Sequence, residues 1–186
     1  FALYLIKPSH YDDDGYVIQW LRSAIPSNTL AVLNGLAIDC ADRGVLGDDV
    51  ELVVSSYDES NKRIRPRNIA RLIQKSGGLG LVGLVGVQSN QFPRALDLAR
   101  DFRKLGVQVC IGGFHVSGCL AMLPKNPGDI QAAMDKGITM VAGEVEEHLS
   151  DILLDADQSR LKPLYNFMHV LPGMEGIPSP FLPSGI

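Results

Sequence analysis

Five short, predominantly apolar runs dictate most of what this chain can become: Leu3 to Ile6, Val50 to Val54, Leu81 to Val87, Val107 to Ile111 and Ile138 to Ala142. A strand with one wet face alternates polar and apolar residues, and these runs do not. Each is therefore expected to be a strand covered on both faces, the signature of a parallel sheet. The intervals between them carry the other period. From Thr29 to Arg43, Leu30, Leu33, Ala37 and Ala41 make one helical stripe, with Asn28 available as N-cap and Gly44 as the stop. Pro66 opens a second helix with Ile69, Leu72 and Ile73 facing inward, and Pro93 a third with Ala95, Leu98, Ala99, Phe102 and Leu105 on one face. A fourth is expected near Asp129 to Lys136 and a fifth from Glu144 to Ala156.

A βα unit repeated five times predicts a doubly wound α/β fold, because right-handed crossovers put helices on both faces of the sheet. The expected architecture is flavodoxin-like and Rossmann-like, five parallel strands in the order 2-1-3-4-5. Ligands of such sheets bind at the carboxyl ends of the strands, where the connections diverge on either side of strand 1. That rule singles out the loops Lys7 to Tyr16, Gln88 to Phe92, Gly112 to Gly118 and Gly143 to Glu147, and Ser55 directly after the second run. The chain of 186 residues suits one domain, expected over residues 1–160. Past Arg160, Pro163, Pro172, Pro178, Pro180 and Pro183 disfavour helix and central strand, so residues 161–186 are expected to be an extended connector to a further domain.

Charge narrows the function. With 17 basic against 21 acidic residues, the net charge of −4 argues against a non-specific nucleic-acid binder. No run of about 18 apolar residues suits a membrane span. Cys40, Cys110 and Cys119 are odd in number and lack zinc-like spacing, which points to free thiols in a reducing, cytoplasmic compartment.

Gly78, Gly80 and Gly83 match G-x-G-x-x-G, but they precede and enter a strand instead of following one, so the nicotinamide reading is rejected. Gly83 and Gly86 within the third run mark close approach of a helix or a ligand. Gly112 and Gly113 end the fourth, with Phe114 and His115 beside them; a plain turn and a bared ligand site are both open readings. Gly143-Glu144-Val145-Glu146-Glu147 sets acids in a first helical turn, where the helix dipole already favours them. Gln88, Ser89, Asn90 and Gln91 gather neutral hydrogen-bonding groups at the expected crevice, and one of them can cap the third helix. Asp12, Asp13 and Asp14 beside His10 suit a hard divalent cation or, preferably, a solvated acidic turn ending at Gly15. No Ser-His-Asp or Cys-His order can be assigned from the sequence, and no phosphate-binding P-loop sequence exists.

Taken in order along the chain, Pro26-Ser27-Asn28-Thr29-Leu30-Ala31, Val87-Gln88-Ser89, Gly112-Gly113-Phe114-His115 and Gly143-Glu144-Val145-Glu146 resemble the cobalamin-binding domain at the N-terminus of B12-dependent radical SAM proteins. The last is similar to that family's G-E-x-E. The resemblance covers roughly Leu3 to Ala156. It implies a corrin over the carboxyl edge of the sheet, with its nucleotide tail in a slot bared by Gly83, Gly86, Gly112 and Gly113. The implied cofactor-binding set adds Ser9, His10, Ser55, Gln88, Ser89, Asn90, Gln91, Phe114, His115, Gly143, Glu144 and Glu146. It also implies a partner radical SAM domain with S-adenosylmethionine and a [4Fe-4S] cluster, for methyl transfer or related radical chemistry, and this segment alone carries no catalytic residue. Many cobalamin domains hold cobalt through the histidine of D-x-H-x-x-G. Here Pro8-Ser9-His10-Tyr11-Asp12 departs from that spacing, leaving His10 as the candidate axial ligand. Nor do the three cysteines fit the C-x-x-x-C-x-x-C that holds the cluster. The competing reading is a receiver-like signalling module binding magnesium at Asp12 to Asp14. It lacks the phosphoacceptor aspartate after strand 3, where Gln88 and Ser89 stand.

Overall fold

The computed structural model describes residues 1–20, 26–125, 127–170, 172–173 and 176–183. Six strands, β1 (Ala2–Lys7), β2 (Val53–Asp58), β3 (Gly80–Leu84), β4 (Gln108–Gly112), β5 (Thr139–Ala142) and β6 (Leu164–Asn166), form one parallel sheet in the order β2-β1-β3-β4-β5-β6. The helices are α1 (Asn28–Asp42), α2 (Pro66–Lys75), α3 (Phe92–Lys104), α4 (Phe114–Met122), α5 (Gly128–Met134) and α6 (Leu149–Asp157). This is the doubly wound, flavodoxin-like fold expected, with six strands in place of five.

Alternation of side chains across each strand builds two cores. Leu3 and Leu5 of β1, Leu81 of β3 and Cys110 of β4 pack on one face with α1 and α6, while Tyr4, Ile6, Val82, Leu84 and Val109 pack on the other with α2, α3 and α5. Burying a side chain such as Leu3 or Leu98 contributes about 1.5–3 kcal/mol. No helix among the described residues is long and apolar enough to cross a membrane.

Several local expectations are corrected. The extra strand β6 lies within the segment expected to be extended connector. It pairs along β5, and Met140 donates to the Pro163 carbonyl at 2.9 Å. An edge strand tolerates a proline at its start, and Tyr165 anchors it through Asp155 at 2.7 Å. β2 begins three residues later than expected and carries Ser55, Ser56 and Asp58, because as the other edge strand it escapes the demand for continuous apolar residues. Ser27, not Asn28, caps α1, accepting from the Leu30 amide at 3.3 Å. No side chain of Gln88 to Gln91 caps α3. The fifth expected helix starts only at Leu149, since residues 146–148 form a turn. α4 occupies what the sequence suggests is loop.

Residues 177–183 do not hang free. They run across α1: the Phe181 amide donates to the Ala31 carbonyl at 3.0 Å and Asn34 Nδ2 donates to the Phe181 carbonyl at 2.9 Å. Ile177 and Leu182 pack against the α1–α6 core. The end of the expected connector, Ser184 to Ile186, lies outside the described residues.

Candidate functional site

Register along the sheet sets the site. Leu3 lies opposite Leu81, Leu5 opposite Gly83, Gly83 opposite Cys110 and Gly112 opposite Val141, all on the face covered by α1 and α6. Two adjacent strands thus lack side chains where the helices would otherwise meet them. The result is a cavity of about 510 Å³ between the sheet, Thr29, Val32 and Leu33 of α1, Val145 in the loop after β5, and Leu149 and Ile152 at the start of α6. That volume is typical of small-molecule sites. The slot descends from Gly86, Gly113 and Gly143 at the carboxyl rim to Leu3 and Leu81 near the amino ends of β1 and β3.

The glycines at this edge do different jobs. A Cβ on Gly113, whose φ is +140°, would stand 2.2 Å from the Val87 nitrogen. That contact belongs to a seam in which Val87 N–H donates to the Gly112 carbonyl at 3.1 Å and His115 N–H to the Val87 carbonyl at 3.0 Å. Gly143, at φ +86°, is pressed against the Phe167 carbonyl carbon, 2.5 Å from a Cβ. The chain's own backbone demands both. By contrast, a Cβ on Gly83 would meet nothing nearer than Leu5 Cδ2 at 3.3 Å, and one on Gly112 nothing nearer than 3.4 Å. These two open the slot without being required by any close backbone contact.

Chemistry is graded with depth. Leu3, Leu5, Leu81 and Cys110 line the deeper slot, with Val85 and Val141 nearer the carboxyl rim and Ile152 on α6, and the one side-chain heteroatom among these is the sulfur of Cys110. Burial pushes the Cys110 thiol up to about 12, so it stays protonated. Polar groups gather at the mouth: Asn28 and Thr29 from the first turn of α1, Gln88 after β3, Ser117 on α4, and Glu144 and Glu146 after β5. Glu146 Oε2 is buried with no hydrogen-bond partner among the described residues, and Glu146 borders both this cavity and a second one between α1 and α6. Phe114 stands at the same mouth, 74% exposed.

Of the residues singled out from sequence, Gly83, Gly86, Gln88, Gly112, Gly113, Phe114, Gly143, Glu144 and Glu146 converge on this cavity. The others go elsewhere. Ser55 lies opposite Tyr4, on the far face of the sheet. Ser9 is buried, its hydroxyl donating to the Ile18 carbonyl and its amide to Glu59. His10 does not line the cavity. Gln91 ties two loops together, donating to the Pro8 carbonyl at 2.8 Å and accepting from the Gln88 amide at 2.9 Å. Asn90 is exposed outside the cavity. Ser89 Oγ lies 3.2 Å from His115 Nδ1, and His115 Nε2 lies 3.8 Å from Cys119 Sγ, with the imidazole over Phe92. Burial, opposed by Asp129, lowers the His115 pKa; burial and then Asp129 raise that of Cys119. That row is a neutral acid–base chain, not a thiolate.

The acidic run is a turn: Asp12 Oδ1 accepts from the amides of Asp14 and Tyr16. No group of three or more metal-ligating side chains occurs among the described residues. Sequence reasoning passed over the aliphatic walls, and it quoted the Asn28–Thr29 edge of α1 as part of the resemblance without placing those two residues in the binding set. Their place was accessible from the rule that a helix following β1 opens at the carboxyl rim. No family model matches the chain, and no curated protein matches it.

Proposed function

We propose that this chain binds cobalamin, with the nucleotide tail in the slot beside β3 and β4 and the corrin across the rim. The observation that carries the reading is the carbon-walled slot opened by Gly83 and Gly112, of a volume suited to a heterocyclic base. The residues present fit the group. Asn28, Thr29, Gln88 and Ser117 offer neutral hydrogen bonds to amide arms, Glu146 Oε2 is an unpaired acceptor for an arm's N–H, and Phe114 gives the corrin edge an apolar contact. No histidine lines the cavity, so in this reading the chain supplies no imidazole to cobalt, His10 included. Bound cobalamin supplies methyl-transfer or radical chemistry through its cobalt. This chain's residues orient it and keep water from its tail. The reading extends to a partner radical SAM domain bringing S-adenosylmethionine and a [4Fe-4S] cluster, for which Cys40, Cys110 and Cys119 have no suitable spacing.

Titration with hydroxocobalamin tests the reading. Binding is expected to alter the visible spectrum and to raise the melting temperature, with stabilisation of about 2.7 kcal/mol at a hundredfold excess over Kd. Gly83→Val fills the slot with carbon next to Leu5, whose Cδ2 at 3.3 Å must shift to admit it; its expected signature is a chain that still melts cooperatively together with at least tenfold weaker binding. An unchanged spectrum and melting curve at saturating cofactor would reject the function.

A further inference from the structure

Resting on that reading, we propose that the slot discriminates among corrinoids by the base that ends their nucleotide tail, admitting a benzimidazole in preference to a purine. The argument is the gradient of polarity down the cavity. At the level of Leu5, Gly83 and Cys110, and below it at Leu3 and Leu81, every wall is aliphatic apart from one sulfur. The backbone groups of β1, β3 and β4 there are spent on sheet pairing. The hydroxyls, amides and carboxylates of the cavity all belong to residues at its mouth, beyond the reach of a base seated against the sheet.

Dimethylbenzimidazole presents ring carbons and methyl groups to such walls. Adenine presents ring nitrogens and an exocyclic amino group in the same places, and each would give up water without finding a partner. An apolar site rejects a polar near-isostere by on the order of a hundredfold at most, so the expected preference is about 10- to 100-fold. Cys110 does not rescue the purine. Its thiol is a weak donor, and the hydroxyl of Thr139 opposite it is committed to the Lys162 carbonyl at 2.9 Å.

The test is a set of equilibrium titrations, read by visible absorbance, of cobalamin, its adenine-containing analogue and cobinamide, which has no nucleotide tail. They are run on the parent chain and on Val141→Thr and Cys110→Ser, each of which sets a hydroxyl in the wall. The free corrinoids are the same in every titration, so a change in the preference between proteins reports the slot alone. The expected result is a preference of tenfold or more in the parent, narrowed at least fivefold in one of the variants. An equal or inverted preference in the parent, or a ratio that neither variant moves, overturns the inference while leaving cobalamin binding intact. Cobinamide bound as tightly as cobalamin also overturns it, because the tail is then outside the slot. Failure of all three corrinoids to bind the parent overturns the functional reading itself.

Discussion

Gly113 and Gly83 look alike in the sequence, yet they differ in what a methyl group would strike. At Gly113 it would enter the backbone of Val87 in a conformation that disfavours side chains. Gly113→Ala is therefore expected to destabilise the chain by about 2 kcal/mol or more, visible as a fall in melting temperature and loosening of the seam between β3 and β4. At Gly83 the same methyl would press only on a side chain, Leu5 Cδ2 at 3.3 Å, which must give by a few tenths of an ångström, and on no backbone atom nearer than 4.0 Å. The distinction was not legible from composition or spacing, because both residues end or interrupt an apolar run. It depends on which backbone lies across from each, a long-range fact. The hydrogen-bonding residues show the same limit. Gln88 and Gln91 belong to one polar loop, but Gln91 turns inward to the Pro8 carbonyl while Gln88 stays exposed at the cavity mouth.

At the scale of elements, helices α1, α2 and α3 were legible from period and punctuation, since Pro66 and Pro93 occupy first turns and Gly44 and Gly106 follow the ends in positive φ. α4 was not, because Phe114 to Met122 is apolar nearly all round and buries only Val116 fully, so it offers no stripe to read. The tail across α1 was hidden for another reason. Its docking relies on the bare surface of Gly35, where a Cβ would stand 2.6 Å from the Ser179 carbonyl oxygen. Gly35→Val is expected to lift residues 177–183 from the helix. Hydrogen exchange at the Phe181 amide, now bonded to Ala31, would rise sharply, and stability would fall by about 1–3 kcal/mol. Unchanged protection of that amide would show that the tail accommodates the larger side chain.

For the whole molecule, the carboxyl edge away from the slot carries two ion pairs among the described residues, Lys7–Asp58 at 3.1 Å between the ends of β1 and β2 and the more buried Arg94–Glu59. Glu59, fully buried after β2, takes the Arg94 guanidinium of α3 and the Ser9 amide of the first loop, and Arg94 reaches on to Tyr11, which donates to Asp97. Burial works against the Arg94 charge, but the hydrogen bonds and charge of Glu59, with Tyr11, outweigh it and raise its pKa. Arg94→Ala strands a buried carboxylate and is expected to remove about 3–5 kcal/mol in denaturant unfolding. The double variant Glu59→Gln, Arg94→Met should recover much of that loss. If the single and double variants were equally destabilised, the pair would not be what holds these loops.

The order of the first five strands, all parallel, followed from the sequence alone, because an apolar run must be covered on both faces and right-handed crossovers leave few topologies. Side-chain period and proline placement are local, and they survive folding. Tertiary structure alone decided that β6 extends the sheet, that the tail grips α1, and that Gly113 and Gly143 are pressed against backbone while an added Cβ on Gly83 or Gly112 would meet no backbone atom nearer than 3.4 Å. Those outcomes depend on contacts between residues far apart in the chain, whose distances no local pattern encodes.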